Sequence, residues 1–227
     1  MLLLALDTST PAVTVALHDG DTVVAQSLSV DARRHGELLA PGIQAVLSEA
    51  GACARDLTDV AVGTGPGPFT GLRVGLVTAR TMGDALGVPV HGVCSLDALA
   101  VRAAEDGAVG DDPFLVATDA RRREVYWAAY ESVPDGAVGT TPRRVHGPDV
   151  SRPDDVPVDG RAVVGRGADL YPDSLGISVG PIDPSAAALA GLVVRLLDAG
   201  ADLSDLTPRY LRRPDVHEGG GRKSVLS

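Results

Sequence analysis

The same short pattern opens each half of this 227-residue chain: a buried strand that ends in aspartate, a tight turn and a second strand. In the first half the strand covers 2–7 and ends at Asp7, and in the second it covers 114–118 and is followed by Asp119. Short apolar runs of about 4 to 8 residues between turn residues predict strands rather than helices. The repetition of the pattern indicates a duplicated α/β domain.

The first half alternates between strands and helices. An antiparallel meander is predicted over 2–7, 12–18 and 22–29, and Asp31 is the expected N-cap of the first helix. Further strands are predicted at 57–63 and 88–93, and helices at 33–50, 69–86 and 95–104. In the second half, strands are predicted at 124–130, at Val145 and at 162–164, and a helix at 185–199. We predict a first domain over 1–105, a smaller and less regular second domain over 106–216, and a flexible tail over 217–227.

Composition limits what the chain can do. Its net charge of −10 predicts weak unaided binding to nucleic acid, and Lys223 is its only lysine. Schiff-base chemistry and a phosphate-binding P-loop would each need an interior lysine. The opening segment reaches Asp7 after six apolar residues, with no basic region or cleavage site, so we interpret it as a strand. With no run of about 18 apolar residues, we expect no membrane span and a cytoplasmic location.

No cofactor, metal site or catalytic residue is predicted from the residues alone. The five histidines lie singly, and no two of them have the helical spacing of metal ligands. The glycine-rich loop 63–71 lacks the Walker spacing, and Pro66 and Pro68 remove N–H donors that a phosphate cradle uses. We therefore favour a rigid turn between a strand and a helix. Cys94 is interpreted as a small core residue, and Ser95 after it as a helix N-cap.

One segment carries a specific resemblance. The sequence Gly-Pro-Gly-Pro-Phe-Thr-Gly-Leu-Arg-Val-Gly over 65–75 is similar to the signature of the bacterial TsaB (YeaZ) family. Weaker matches in the same order occur at 7–10, 35–39, 119–126 and 208–212. The paired strand–aspartate–hairpin units likewise resemble the actin, sugar kinase and Hsp70 superfamily, whose domains are ribonuclease H-like.

The resemblance implies a function and partners. It implies a non-catalytic paralogue of TsaD that supports threonylcarbamoylation of adenosine 37 in tRNA. The implied partners are a TsaD-like catalytic subunit and a TsaE-like ATPase, with a homodimer when the chain is alone and tRNA contacted only through the complex. The alternatives are an ATP-dependent or metal-dependent transferase, a glycoprotease-like peptidase, and a sugar-kinase-like binder of small molecules.

Nucleotide binding in that superfamily uses two aspartate-centred hairpins, which resemble Asp7 and Asp119 with their following residues. The first has Ser9 where a glycine would admit phosphate, and the second has the run 121–123 of three arginines. Gly165 and Gly167 resemble an adenosine-contacting turn. ATP binding stays open as an alternative, and the arginines could meet tRNA phosphate, a partner's carboxylates or solvent.

Small residues recur every fourth position along the second predicted helix, at Gly71, Gly75, Ala79 and Gly83. A glycine inside a helix costs about 1 kcal/mol relative to alanine, so close approach of another backbone must compensate. Either the chain's own sheet or a partner helix could approach. Because the family associates through its first two helices, the resemblance favours a partner interface formed by His35, Leu38, Leu39, Gly71, Gly75, Ala79 and Gly83.

Overall fold

The first sheet has five strands in the order β3-β2-β1-β4-β5. A computed structural model describes residues 1–135 and 139–212. The first three strands form the predicted antiparallel meander, and β4 and β5 continue the sheet parallel to β1. The strands are β1 Leu3–Asp7, β2 Ala12–His18, β3 Val23–Val30, β4 Asp59–Gly63 and β5 Val90–Val93.

The second sheet repeats this order with four strands, β8-β7-β6-β9. Its strands are β6 Phe114–Arg121, β7 Glu124–Asp135, β8 Gly139–Ser151 and β9 Ala162–Val164. Antiparallel pairing joins β6 to β7 and β7 to β8, and β9 runs parallel to β6. A single parallel bridge between Val163 and Ser178 lies beside β9, where a fifth strand would stand. The predicted duplicated α/β fold is confirmed.

Helices cover both faces of the first sheet. They are α1 His35–Glu49, α2 Phe69–Leu86, α3 Ser95–Glu105, α4 Arg166–Leu170, α5 Pro172–Leu175 and α6 Ala186–Asp198, with 3-10 turns at Ala54–Asp56 and Pro153–Asp155. Side chains of α1 and α2 share one apolar core with β1, β2 and β4. On the opposite face, α6 packs its Leu189 with Leu3 and Ala5 of β1.

Two helices connect the halves. The α3 helix contributes Leu96 and Leu99 to a core with Phe114 and Tyr130 of the second sheet. Conversely α6, which lies in the second half of the sequence, packs against β1 and β2. The division into 1–105 and 106–216 therefore stays a prediction, and α6 crosses it. The predicted tail 217–227 lies outside the described residues.

One local prediction is wrong, and one is correct in position but too short. The N-cap of α1 is Arg34 rather than Asp31, whose carboxylate instead accepts a hydrogen bond from the Arg33 amide at 2.9 Å. The strand predicted near Val145 is much longer, since β8 covers Gly139–Ser151 and tolerates its prolines as an edge strand. None of the helices in the described part of the chain could cross a membrane.

Candidate functional site

Asp7, the first predicted hairpin aspartate, is fully engaged by the chain's own hydrogen-bond donors. Its Oδ1 accepts from the Ser9 amide at 2.7 Å and the Ser9 hydroxyl at 2.6 Å, and its Oδ2 accepts from the Ser95 hydroxyl at 2.6 Å. Burial raises the pKa of the Asp7 carboxyl, and the hydrogen bonds from Ser9 and Ser95 act in the opposite direction. This carboxylate is a buried structural anchor.

The glycine-rich loop after β4 packs directly on this hairpin. A Cβ atom at Gly67 would lie 2.3 Å from the Ser9 carbonyl oxygen, and one at Gly63 would lie 1.8 Å from Asp7 Oδ2. The Gly65 amide donates to the Ser95 hydroxyl at 3.1 Å. These glycines are therefore needed for close approach, and the loop is the rigid turn between strand and helix that the sequence favours.

The start of α2 is fastened to the same hairpin through Thr8. Its hydroxyl donates to the Gly71 carbonyl at 2.7 Å and accepts from the Gly75 amide at 3.0 Å. A Cβ atom at Gly71 would lie 2.6 Å from the Thr8 carbonyl oxygen, and one at Gly75 would lie 2.6 Å from the Thr8 hydroxyl oxygen. The two glycines thus face the chain's own first strand.

The rest of the small-residue stripe is buried in the same way. Ala79 lies in the core beneath the sheet, and a Cβ atom at Gly83 would lie 2.3 Å from a methyl group of Val90 on β5. The prediction that Gly71, Gly75, Ala79 and Gly83 face a partner is wrong, because the sheet supplies the close backbone approach that compensates for these glycines.

The predicted interface residues of α1 divide between interior and surface. His35 is buried, and its Nε2 lies 2.7 Å from the Thr10 carbonyl oxygen, which holds the start of α1 against the first hairpin. Leu39 is buried in the core as well, so neither residue is available to a partner. Leu38 is only partly buried.

Several side chains on the outward side of α1 and α2 are apolar. Val77 is 59 % exposed, and Val74, one turn earlier on α2, is partly buried. Phe69 lies under the Arg73 guanidinium, 3.8 Å from its ring centroid, and beside the Tyr210 ring at 5.0 Å. The outward-facing apolar side chains of α1 and α2 include Leu38, Pro41, Phe69, Val74 and Val77.

The second predicted hairpin is closed by its own arginine. Asp119 Oδ1 accepts from the Arg121 amide at 2.7 Å, and the Arg121 guanidinium lies 3.2 Å from Oδ2. Gly165 and Gly167 are explained by packing, since a Cβ atom at these positions would lie 2.4 Å and 2.9 Å from atoms of Ala117 on β6. Asp7, Gly165 and Gly167 do not line the cavities of about 240, 440, 770 and 360 Å³ in the described part of the chain.

Sequence reasoning missed the central role of Ser95. Ser95 was predicted to be a helix N-cap, but Cys94 holds that position. Ser95 lies buried in the first turn of α3, where its hydroxyl donates a hydrogen bond to the Asp7 carboxylate. Burial raises the pKa of the Cys94 thiol to about 11. No three His, Cys, Asp or Glu side chains among residues 1–135 and 139–212 converge to hold a metal ion.

The fold defines a class of protein: a duplicated α/β chain whose two sheets share one strand order. Residues 23–155 match the family model of TsaD, tRNA N6-adenosine threonylcarbamoyltransferase. The structure of YeaZ from Pseudomonas aeruginosa superimposes with a TM-score of 0.76 at 31% identity, over 92% of this chain and 99% of that one. The chain belongs to the TsaB (YeaZ) family, within the wider TsaD family, and the resemblance predicted from the motifs is confirmed.

Similar amino-acid sequences include members of the same family. The Escherichia coli protein TsaB, described as a tRNA threonylcarbamoyladenosine biosynthesis protein, is 37% identical over 136 residues, which are 60% of this chain and 58% of that protein. An uncharacterized protein of Mycobacterium tuberculosis strain H37Rv is 45% identical over 94% of this chain and 92% of its own length. An uncharacterized protein of Mycobacterium leprae is 44% identical, and this chain spans 56% of its length.

Proposed function

We propose that this chain is a non-catalytic subunit in the biosynthesis of threonylcarbamoyladenosine in tRNA. It would pair with a TsaD-like catalytic subunit, act together with a TsaE-like ATPase, and form a homodimer when alone. The observation that carries the non-catalytic role is the closed Asp7 hairpin. Family membership supports the pathway, because relatives of this chain carry that biosynthetic description.

The hydrogen bonds within the hairpin compete with the binding of a nucleotide phosphate or its magnesium ion at Asp7. The Asp7 carboxylate accepts three hydrogen bonds from the chain itself, and the backbone of Gly67 packs closely against that of Ser9. Hydrogen bonds to a charged group are worth about 1.5 to 3 kcal/mol each, so opening this arrangement would cost several kcal/mol. The Arg121 guanidinium forms a salt bridge with the Asp119 carboxylate, which also engages this second aspartate. This argues against a sugar-kinase-like or ATP-dependent reaction in the chain alone.

The outward-facing apolar side chains of α1 and α2 support a partner surface. Val77 and Val74 are one turn apart on α2, and α1 contacts α2 on the same face of the sheet. Burying apolar surface stabilises an interface by about 25 cal/mol per Å². We assign this face, rather than the buried glycine stripe, to the TsaD-like subunit and to the second copy in the homodimer.

Replacing Val77 with aspartate tests the assignment. Val77→Asp should abolish association with the TsaD-like subunit, since an unpaired charge would be buried at the interface, while the thermal midpoint stays within about 2 °C. Val145→Asp is the matched control, because Val145 is 48 % exposed and lies on β8 in the second sheet. Normal association of Val77→Asp, measured by calorimetry, would refute this surface.

A further inference from the structure

Five exposed arginines lie around two neighbouring cavities at one end of the molecule. Arg33 and Arg121 line a cavity of about 240 Å³ between the first hairpin and the start of α1. Arg122, Arg123 and Arg152 line a second cavity of about 360 Å³. The hairpin tip 121–123 contributes to both cavities, because Arg121 lines the first and Arg122 and Arg123 line the second. We call these five residues the arginine strip.

The strip is locally basic although the whole chain carries a net charge of −10. Arg33, Arg123 and Arg152 form no salt bridge with any carboxylate in residues 1–135 and 139–212. Asp154 is the one acidic residue that lines either cavity, and it already accepts a hydrogen bond from the Ser174 hydroxyl. Arg33, Arg123 and Arg152 therefore present to the cavities positive charge that no carboxylate of the described residues neutralises.

The hairpin tip holds arginine where the backbone favours other residues. Arg121, Arg122 and Arg123 have φ angles of 64°, 51° and 60°, and the middle and last form a two-residue turn between paired Arg121 and Glu124. Such turns favour Asn-Gly, and a left-handed conformation costs other residues roughly 1 to 2 kcal/mol each. Strain of this kind is typical of functional sites.

The tip is also held rigidly. Arg212 donates to the Ala120 carbonyl at 2.8 Å and lies 3.3 Å from the Glu124 carboxylate. Asp119 fixes the Arg121 amide at 2.7 Å. The guanidinium groups consequently project from a backbone that needs little further ordering when a ligand binds, which reduces the entropic cost of binding.

We propose that the arginine strip binds the phosphodiester backbone of tRNA directly, in the complex formed with the TsaD-like subunit. The proposal rests on the proposed function for the identity of the RNA. Arginine is the residue best suited to phosphate, because its planar fork matches two phosphate oxygens. Tyr171 lines the second cavity and offers a ring beside which a base or ribose could lie.

The lining of the cavities favours RNA over an acidic protein. Stable protein interfaces have an apolar centre, with arginine and aromatic residues around it. Val74 lines the first cavity at its border with the partner surface, whereas no Val, Leu, Ile, Met or Phe side chain among the described residues lines the second cavity, which holds Arg123 and Arg152. The net charge of −10 opposes RNA binding by the chain alone. The strip would thus add backbone contacts and orientation to an RNA that the partner also holds.

Neutralising variants test the strip. Arg123→Gln, Arg152→Gln and the double variant are compared with Arg55→Gln, because exposed Arg55 precedes β4 and so lies at the opposite end of the first sheet from Asp7. The probe is an unmodified tRNA transcript with adenosine at position 37, titrated by fluorescence anisotropy over about 50 to 200 mM salt. Both the complex with the TsaD-like subunit and the chain alone at the lowest salt are measured.

The double variant should bind the transcript about tenfold more weakly at fixed salt. The slope of log affinity against log salt should become shallower by about 0.7 to 0.9 for each phosphate that the variant no longer neutralises. Arg55→Gln should match the wild type, and all variants should keep the wild-type thermal midpoint and association with the TsaD-like subunit.

Wild-type RNA affinity and salt slope in the double variant would overturn the proposal. So would a selective loss of protein association, since the strip would then belong to the protein interface. If the wild-type chain does not bind the TsaD-like subunit, the proposed function fails separately. In that case the RNA titration of the chain alone tests the arginine strip. No RNA binding by the wild-type chain, or equal RNA affinity of the wild type and the double variant, would overturn the proposal.

Discussion

Gly75→Ala should destabilise the protein even though alanine is the better helix former. The added Cβ would lie 2.6 Å from the Thr8 hydroxyl oxygen and 3.3 Å from a Leu6 methyl group. Alanine gains about 1 kcal/mol of helix propensity, the loss of two Thr8 hydrogen bonds costs about 1 kcal/mol each, and overpacking costs about 1 to 3 kcal/mol. The free energy of unfolding should therefore fall by about 2 to 4 kcal/mol.

Urea unfolding followed by circular dichroism measures this change. Gly191→Ala in α6 is the control, because its Cβ would meet only the Arg195 guanidinium at 3.7 Å, and it should gain about 1 kcal/mol. In a Thr8→Ala background, Gly75→Ala should lose its penalty because the hydroxyl is absent. A Gly75→Ala protein as stable as the wild type would refute the packing of α2 on Thr8.

Three further predictions concern the closed hairpin and its surroundings. Burial raises the pKa of Asp7 above 3.8, so the free energy of unfolding of the wild type should fall relative to that of Asp7→Asn as pH rises through the raised pKa, and should then stay constant. A rise of the wild-type free energy relative to that of Asp7→Asn between about pH 4 and 7 would contradict this. Ser95→Ala should lower the free energy of unfolding by about 2 to 3 kcal/mol, because Asp7 and the Gly65 amide each lose a partner, and unchanged urea unfolding would contradict it. At about pH 8 a thiol reagent should label exposed Cys53 rapidly and Cys94 only after unfolding, since burial raises the Cys94 pKa to about 11; two fast thiols would contradict this.

The parts of the fold with strong local signals could be predicted from the sequence. The α2 helix covers Phe69–Leu86 as predicted, because Gly87 with φ at 70° ends it in the left-handed conformation. The meander β1 to β3 followed from short apolar runs between turn residues. Asp7 ends β1 as predicted, whereas β6 continues past Asp119 to Arg121.

Features that depend on distant contacts could not be predicted. Ser95 reaches Asp7 across 88 positions of sequence, and no local pattern signals that hydrogen bond. The spacing of Gly71 and Gly75 predicted that another backbone packs closely against this side of α2. It could not show whether that backbone belongs to the chain's own sheet or to a partner, because the spacing describes only the helix. The edge strand β8 contains Pro142 and Pro148, whose presence lowers any strand signal.

Reconstituted turnover tests the central claim most directly. Transfer of the threonylcarbamoyl group from threonylcarbamoyl-adenylate to an unmodified tRNA transcript, with release of AMP, is measured for this chain alone, for the TsaD-like subunit with the TsaE-like ATPase, and for all three proteins. We predict no transfer by the chain alone, and transfer by the three-protein mixture that depends on this chain and is lost with Val77→Asp. Transfer by the chain alone, abolished by Asp7→Asn or Asp119→Asn, would contradict a non-catalytic subunit.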